Sequence, residues 1–238
     1  MPELALIIPT YNESGNIGPL VSRLDVACEG IDWMVLFVDD DSPDKTADVV
    51  AEVGRRHPRV SCLKRVGRRG LSSACIEGMR HVRAPVYAVM DADLQHDESR
   101  LPLMLDRIRA GDDVCVGTRY AAGGSVGEWG LSRRFISWSA TALTNLLLGL
   151  RLSDPMSGFF MVTAKVMDQV FPRLEGQGFK ILLDIVVHAD RSIAIGEVPF
   201  TFRPRRIGES KLGGGVIVAL LLFLLKKAPG RLMTFMRP

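Results

Sequence analysis

Short apolar runs alternate with amphipathic stretches along the first half of the chain. Continuous apolar runs of this length are typical of strands that are covered on both faces. Between them, apolar residues recur at helical spacing, as at Ile17, Leu20 and Leu24. This pattern predicts an α/β fold with a mostly parallel sheet, right-handed crossovers and flanking helices. The predicted strands are residues 4–8, 33–38, 60–63, 86–90 and 113–116, and the predicted helices are residues 16–28, 44–53 and 101–109. Another helix is expected to run to about residue 82, with Ser72 or Ser73 as its N-cap.

Polar motifs stand where four of these strands end. In parallel sheets of this kind, ligands bind beyond the carboxyl ends of the strands. Motifs at four such ends therefore predict one composite site on a single edge of the sheet. The motifs are residues 9–13, 39–41, 91–93 and 117–119.

The second half of the chain carries two longer apolar stretches, residues 135–150 and 216–225. A membrane-spanning helix needs about 20 apolar residues, and neither stretch is a comfortable span. Basic pairs flank both, Arg133 with Arg134 and Lys226 with Lys227. This combination favours helices that lie in a membrane interface, with two buried core helices as the alternative. A short strand, two helical stretches, a strand at 192–198 and a basic loop at 203–211 are expected between them.

Composition adds a few limits. The 238 residues are 47% hydrophobic and 24% charged, which suits one large packed domain, or one domain with an appendage. The net charge of +3 does not indicate a nucleic-acid partner, but paired Lys and Arg residues fit phosphate groups or an anionic membrane surface. No signal peptide is expected, so the chain should stay in the cytoplasm. The cysteines lack metal-site spacing and are expected to be buried free thiols: Cys28, Cys62, Cys75 and Cys115.

Asp91 and Asp93 are the sharpest chemical feature. At positions i and i+2 of an extended chain both carboxylates would point the same way, and they would repel each other without a cation between them. Mg²⁺ or Mn²⁺ takes oxygen ligands and accepts substrate phosphates in the same shell, and Gln95 offers a further oxygen. No His/Cys set accompanies them, which argues against zinc. The alternative is a solvated acidic turn.

The other strand ends suggest nucleotide and phosphate contacts. One of Asp39, Asp40 and Asp41 is expected to meet a base or ribose, while the others cap the turn that follows. Arginine makes two-point contacts with phosphate oxygens and lysine acts as a point charge. The candidates for phosphate binding are Arg119, Arg133, Arg205 and Lys211.

Taken in order, these motifs resemble the dolichol-phosphate mannosyltransferases, or polyprenol monophosphomannose synthases, of glycosyltransferase family 2. The resemblance covers almost the whole chain. The matching segments are residues 8–13, 38–44, 70–74, 90–96, 117–120, 154–158, 178–183, 197–200 and 205–213. It departs at Lys45, where the family usually has Gly, so a different turn is expected there.

The resemblance implies a GT-A fold and a role for each matching position. The nucleotide-sugar would contact Pro9, Tyr11, Glu13, Val38, Asp40, Asp91, Ala92, Asp93, Arg205 and Lys211. The metal, Mg²⁺ or Mn²⁺, would lie on Asp91, Asp93 and Gln95. The acceptor phosphate would lie on Arg119, Arg133 and Ser137, which with Asp91 and Asp93 would form the catalytic set.

The resemblance also implies the reaction. Mannose would pass from GDP-mannose to a polyprenyl (dolichyl-type) phosphate, with inversion, on the cytoplasmic face of the membrane. Residues 1–212 would form the GT-A domain, with a nucleotide-sugar part at 1–119 and an acceptor part at 120–212. Residues 213–238 would form an interfacial helical tail, and a separate membrane-anchoring subunit is a further expected partner. Because a phosphate acceptor is already anionic near neutral pH, no general base is required, and Asp184 is the alternative if one is.

Three rival functions remain at this point. The first is a polyprenyl-phosphate transferase that uses another donor, such as a UDP-sugar. The second is a processive polysaccharide synthase, disfavoured because Trp33, Trp129 and Trp138 all lack the Gln-X-X-Arg-Trp context of those enzymes. The third is a non-catalytic nucleotide-sugar sensor, which the complete set of metal and phosphate candidates disfavours.

Overall fold

The structure is a computed structural model that describes residues 1–127, 131–176, 178, 180–204 and 224, with only the backbone of residues 131–136. The side chain of Arg133, the residues Arg205 and Lys211, and the predicted tail apart from Leu224 lie outside the described part. The predictions made for them are therefore not tested here.

A seven-stranded sheet with the order β3-β2-β1-β4-β6-β5-β7 forms the centre of the fold. β6 runs antiparallel to both of its neighbours, β4 and β5, and the other pairs are parallel. The strands are β1 (Leu4–Thr10), β2 (Trp33–Asp39), β3 (Val60–Lys64), β4 (Val86–Val89), β5 (Val114–Thr118), β6 (Phe160–Thr163) and β7 (Ile195–Pro199). The helices are α1 (Ser14–Ala27), α2 (Thr46–Arg56), α3 (Leu71–His81), α4 (Leu101–Arg109), α5 (Leu131–Leu148), α6 (Ala164–Val170) and α7 (Ile181–His188).

Both faces of the sheet are buried, which explains the continuous apolar runs. Along β1, Leu4, Leu6 and Ile8 pack with α1, α2 and α4, while Ala5 and Ile7 pack with α3, α6 and α7. Successive side chains of a strand point to opposite faces, so every position of such a strand must be apolar. The prediction of a mostly parallel sheet with helices on its faces is confirmed.

The predicted N-cap of α3 is wrong. The helix begins at Leu71, so both serines lie inside its first turn. The Ser72 hydroxyl donates to the carbonyl of Gly178, and the Ser73 hydroxyl donates to the carbonyl of Gly70. Gly70 takes the cap position with a φ of 137°, a backbone conformation that favours glycine.

The turn before α2 keeps a left-handed residue although glycine is absent. Lys45 has φ 63° and ψ 30°, and α2 begins at Thr46, two residues after the predicted start. Asp44 Oδ1 accepts from both the N–H and the hydroxyl of Thr46, while its Oδ2 accepts from the N–H of Ser14. Burial works against ionisation of Asp44, but the hydrogen bonds from Thr46 and Ser14 outweigh it and lower the pKa of this carboxyl. The Asp44 contacts thus offset the cost of about 1 kcal/mol that a non-glycine residue incurs in this conformation.

α5 has one buried and one exposed apolar side. Leu148 packs with Leu183 of α7 and with Leu224 of the C-terminal region. Trp138 and Leu146 lie two turns apart on the other side, 64% and 79% exposed. None of the helices in the described part of the chain combines the length and apolar character that crossing a membrane requires.

Candidate active site

The three aspartates at the end of β2 have separate roles. Asp39 is fully buried and ties β1 to the next turn, because its carboxylate accepts from Thr10 Oγ1 (3.2 Å) and from the N–H of Ser42 (3.0 Å). Asp41 is exposed and lies 2.9 Å from Lys64 Nζ. Asp40 is buried, and its carboxylate meets Arg65, an arginine that the sequence analysis did not assign.

Arg65 fixes Asp40. Its guanidinium is fully buried and lies 2.6–2.7 Å from Asp40 Oδ1 through Nη2 and Nε. The same group donates to Ser73 Oγ, to the Gly70 carbonyl and to Glu77 Oε1 at 3.0–3.1 Å. The N–H of Gly70 donates to Asp40 Oδ2 at 2.8 Å. The candidate nucleotide contact at Asp40 is thus held at both oxygens. A charged residue directly after an apolar strand was the signal available for Arg65.

Four further nucleotide candidates, Pro9, Tyr11, Glu13 and Val38, lie at or just after the ends of β1 and β2. Pro9 and Val38 are paired residues in the parallel register of the two strands. The Arg69 guanidinium lies over the Tyr11 ring, 4.4 Å from its centroid. Glu13 donates its N–H to Thr46 Oγ1, and its carboxylate accepts from the Asn16 amide at 2.7 Å. All four candidates therefore lie on the predicted edge, and Arg69 joins them.

Asp91 and Asp93 lie on a turn rather than on an extended strand. β4 ends at Val89, residues 92–94 bend, and Leu94 has a positive φ of 63°. The prediction that strand alternation aligns the two carboxylates is therefore wrong. Asp93 is buried, and its Oδ1 accepts from the N–H of Gln95 at 3.1 Å. The turn, and not the strand, therefore sets the positions of Asp91, Asp93 and Gln95, and it links Gln95 directly to Asp93.

His96 closes this turn. Its Nδ1 accepts from the N–H of Asp91 at 3.0 Å, and its Nε2 lies 3.8 Å from Asp91 Oδ2. The ring is stacked on Phe159, and Phe200 meets it edge-on. Burial lowers the pKa of His96 to about 4, so the imidazole is neutral near pH 7 with its proton on Nε2. The sequence analysis gave His96 no role, although it stands in a quoted motif.

The donor set of this turn fits a divalent cation. Two carboxylates and an amide oxygen are hard ligands of the kind that Mg²⁺ and Mn²⁺ prefer. Gly158 faces the Asp91 carboxylate, where an added Cβ would lie 3.7 and 3.8 Å from its two oxygens. Within the described residues, no group of three or more His, Cys, Asp or Glu side chains forms a complete metal cage. A site with two carboxylates suits a cation that also takes substrate phosphates as ligands.

Arg119 is held by Asp154. Its Nε and Nη2 donate to Oδ2 and Oδ1 of Asp154 at 2.7 and 2.9 Å. Burial by itself lowers the pKa of Arg119, but the hydrogen bonds and charge of Asp154, with a smaller contribution from Asp91, raise it above its ordinary value. Arg119 is thus a permanent cation on the same edge as the carboxylate turn. Asp154 was quoted in a motif but assigned no role.

A small cavity opens beside Arg119. Its volume is about 320 Å³, and its other walls are Tyr120, Gly124, Ser125, Val126 and Trp138. The hydroxyls of Tyr120 and Ser137 lie 2.6 Å apart and join the end of β5 to α5. A second cavity of about 610 Å³ lies beside β7 and contains none of the predicted site residues. The cavity at Arg119 combines a cationic residue with apolar walls, and it lies at the end of α5 nearest the site.

Comparison with known proteins identifies the family. The family model for glycosyl transferase family 2 matches residues 5–171. The chain belongs to glycosyltransferase family 2. Among family relatives, the dolichol-phosphate mannosyltransferase of Pyrococcus furiosus is 41% identical over 92% of this chain and 62% of its own length. The dolichol-phosphate mannosyltransferase of Saccharomyces cerevisiae is 36% identical over 98% and 91%. The polyprenol monophosphomannose synthase of Mycolicibacterium smegmatis is 33% identical over 89% and 82%. The chain thus spans less than two thirds of the Pyrococcus relative but most of the other two.

Solved structures show the same fold at low identity. Glucosyl-3-phosphoglycerate synthase from Mycobacterium tuberculosis, in complex with Mn²⁺, UDP and phosphoglyceric acid, superposes with a TM-score of 0.73 at 16% identity. The match covers 95% of this chain and 78% of that one. The same enzyme in complex with Mg²⁺ and UDP also gives a TM-score of 0.73. This likeness establishes the GT-A fold of the family member described here.

Proposed function

We propose that this glycosyltransferase transfers mannose from GDP-mannose to a polyprenyl phosphate, with inversion and with Mg²⁺ or Mn²⁺. The observation that carries the proposal is the placement of two charged sets on one sheet edge. The acidic turn of Asp91 and Asp93 follows β4, and the Arg119–Asp154 pair follows β5. The names of relatives at 33–41% identity support the sugar and the lipid class.

The nucleotide would lie across the ends of β1 and β2. Asp40 offers a carboxylate that is held at both oxygens, suited to accept hydrogen bonds from a base or ribose. The Tyr11 ring under Arg69 adds a flat aromatic surface beside it. Because these groups are fixed before ligand binding, little ordering cost remains to be met on association.

The diphosphate would meet the acidic turn. Asp91, Asp93 and Gln95 would hold the cation, which when bound neutralises charge on the departing diphosphate. His96 keeps Asp91 in place through its backbone N–H. Since this imidazole is neutral near pH 7, it adds no positive charge that would compete with the cation.

The acceptor phosphate would meet Arg119, and its lipid chain would follow α5. The cavity beside Arg119 has apolar walls at Val126 and Trp138, so a phosphate and the first part of a prenyl chain find matching surroundings there. Ser137 lies at the same place through its contact with Tyr120. Arg133 is proposed as a second phosphate contact.

The spacing of the two sets suits a sugar between them. Neighbouring strands lie about 4.8 Å apart, and β6 separates β4 from β5, so the two strand ends are about 10 Å apart. A hexose that joins a diphosphate on one side to an attacking phosphate on the other needs a gap of this order. The antiparallel strand thus sets the distance between donor and acceptor groups.

No general base is required in this proposal. A phosphate monoester has a second pKa of about 6 and is already anionic near neutral pH. The enzyme then contributes alignment and charge stabilisation. Asp184, the alternative base, is buried in α7, where its Oδ2 accepts from the N–H of Glu175 and its Oδ1 lies 3.1 Å from His188 Nδ1. The contact with Glu175 supports a structural role for Asp184, while its Oδ1 has no hydrogen-bond partner among the described residues.

We further propose that the protein works at the cytoplasmic face of a membrane as a peripheral protein, with a membrane-anchoring subunit as a further partner. The exposed apolar side of α5 supports this location, because Trp138 lines the cavity at Arg119 and, like Leu146 further along the helix, is largely exposed. A lipid acceptor reaches such a cavity without leaving the interface.

The test mixes the purified full chain with Mg²⁺, GDP-mannose and a short polyprenyl phosphate. We expect free GDP and mannosylated lipid phosphate in equal amounts, and Asp93→Asn should reduce the rate at least a hundredfold. Activity only with a UDP-sugar would replace the proposed donor. The absence of glycosylated lipid with every donor tested, and with both Mg²⁺ and Mn²⁺, would refute the proposal.

A further inference from the structure

Arg203, in the segment after β7, makes four hydrogen bonds or ion pairs to residues 95–98. The N–H of Arg203 donates to the Gln95 carbonyl, and the Gln95 side-chain amide donates to the Arg203 carbonyl, both at 3.0 Å. The Arg203 guanidinium donates to Asp97 Oδ1 at 2.6 Å and to Glu98 Oε2 at 2.7 Å. The two segments are 105 or more residues apart in sequence, so these contacts are a tertiary clamp.

We propose that Arg203 is a positioning residue for the cation site, acting through Gln95. Because the Gln95 amide nitrogen donates to the Arg203 carbonyl, Arg203 sets the orientation of the amide group and with it the position of the amide oxygen. The main-chain N–H of Gln95 is bonded to Asp93, so the clamp also fixes one of the two carboxylates. This inference rests on the proposed cation site, but it concerns a residue outside the quoted motif segments 197–200 and 205–213.

The side chain of Arg203 maintains the clamp. Asp97 and Glu98 are buried at 8% and 7% exposure, which places two acidic groups in a poorly solvated position next to the turn. The forked guanidinium satisfies both at once, a geometry that lysine cannot reproduce. Without it, the two carboxylates would turn to solvent or toward other cations such as Arg23, which lies 3.6 Å from Glu98. The two hydrogen bonds between Gln95 and the main chain of residue 203 would then weaken.

A purely electrostatic role gives the opposite expectation. Arg203 is a positive charge near the cation site, and removing it would leave Asp97 and Glu98 less neutralised. Like charges repel and opposite charges attract at such distances, so a pure charge effect would tighten cation binding. A positioning role predicts that removing Arg203 weakens cation binding. The sign of the change therefore separates the two roles.

The experiment titrates Mn²⁺ into the full-length protein with saturating GDP and follows free Mn²⁺ by electron paramagnetic resonance. Neither sugar nor lipid is present, so the result does not depend on turnover. We expect Arg203→Gln to weaken Mn²⁺ binding about tenfold, the lower end of the effect of outer-shell partners on metal sites. Arg203→Lys keeps the charge but loses the fork and should weaken binding about threefold.

Arg109→Gln is the matched control. Arg109 makes a similar forked ion pair with Glu3, 2.8 Å through both nitrogens, on α4 at the amino-terminal side of β1. Its loss should leave Mn²⁺ binding unchanged. At saturating Mn²⁺, turnover by Arg203→Gln should stay within about twofold of the wild type while the Mn²⁺ concentration for half-maximal rate rises about tenfold.

Several outcomes overturn the inference. One is that Arg203→Gln binds Mn²⁺ as tightly as the wild type or more tightly. Another is that Arg203→Gln has a lower kcat but the same Mn²⁺ concentration for half-maximal rate, because a general structural defect would give that result. If Arg203→Gln shows no cooperative unfolding transition, Arg203→Lys decides alone, and wild-type Mn²⁺ affinity in that variant overturns the inference. Wild-type protein that binds Mn²⁺ with GDP but forms no mannosyl lipid would refute the proposed donor or acceptor and leave the role of Arg203 intact.

Discussion

At the residue scale, the candidate site depends on carboxylates that arginines hold in place. Arg65 fixes Asp40, and Asp154 fixes Arg119, each pair with contacts of 2.6–2.9 Å. Breaking a buried ion pair by removing one partner leaves an uncompensated charge in a poorly solvated place. These pairs therefore link the stability of the fold to the geometry of the site.

Replacing Arg65 by Met should destabilise the protein by about 3–4 kcal/mol, because the guanidinium is fully buried and, within the described part of the chain, the Asp40 carboxylate would keep only the hydrogen bond from the Gly70 N–H. Urea unfolding of the purified variant measures this. The matched change Arg109→Gln removes an ion pair with an arginine side chain that is 48% exposed and should cost less than about 1 kcal/mol. Equal losses in the two variants would contradict the assigned role of Arg65.

The thiols should be unreactive in the folded protein. Burial raises the pKa of Cys28 and Cys115 to about 12 and that of Cys62 to about 11, and it raises the pKa of Cys75 still further. Since only the thiolate reacts with disulfide reagents, labelling at pH 8 should be slow until urea unfolds the chain. Cys62, the one half-buried thiol, should react first. Rapid labelling of Cys75 in the native protein would contradict this.

At the scale of elements, sequence patterns predicted which strands and helices exist better than they predicted where each begins and how the turns between them fold. The first five strands and four helices were predictable because burial on two faces, or on one helical side, leaves a periodic signal in the residues themselves. The start of α3 and the turn at Asp91 were not predictable from such periodicity. The start of α3 depends on the distant Gly178 carbonyl, and the turn at Asp91 depends on the non-periodic contact of its N–H with the His96 ring five residues along the chain.

Two helical glycines should respond in opposite ways to alanine. At Gly78 of α3, an added Cβ would lie 2.5 Å from Ile7 Cγ2 and 2.9 Å from Val38 Cγ2, so Gly78→Ala should push the helix from the sheet and cost about 1–3 kcal/mol. At Gly18 of α1 nothing lies within 4 Å, so Gly18→Ala should stabilise by up to about 1 kcal/mol. Thermal unfolding checks both, and changes of the same sign would contradict this account of α3 packing.

At the scale of the whole molecule, the site could be predicted in outline because parallel strands bring their carboxyl ends to one edge. The motif residues Tyr11, Asp40, Asp93 and Arg119 do lie there. Their partners Arg65, Asp154 and Arg203 were not assigned, because each comes from a segment 25 or more residues away and the sequence does not show which of the site residues it meets. The antiparallel insertion of β6 was likewise beyond the reach of periodicity, because a four-residue apolar strand does not reveal its direction.

The exposed side of α5 should act as a membrane contact. Leu146→Glu places a charge on a residue that is 79% exposed, so the fold should be unaffected while binding to anionic phospholipid vesicles falls about tenfold, the loss of one buried leucine. Co-sedimentation measures this. Val26→Glu on α1 is the matched control, since Val26 is 77% exposed on a different helix. Equal losses of vesicle binding in both variants would show that the added negative charge, and not the apolar side of α5, accounts for the effect.

The position of β6 also orders the assembly of the protein during synthesis. When residues 1–118 have left the ribosome, β1 to β4 can already pair, but β5 cannot join them. Its place is one strand away from β4, and the strand that fills the gap is about 40 residues further along the chain. β5 and the residues directly after it therefore stay unpaired until β6 (Phe160–Thr163) has been synthesised and inserts between β4 and β5. A nascent chain stalled before residue 160 should hold a folded nucleotide half and a protease-sensitive segment after it.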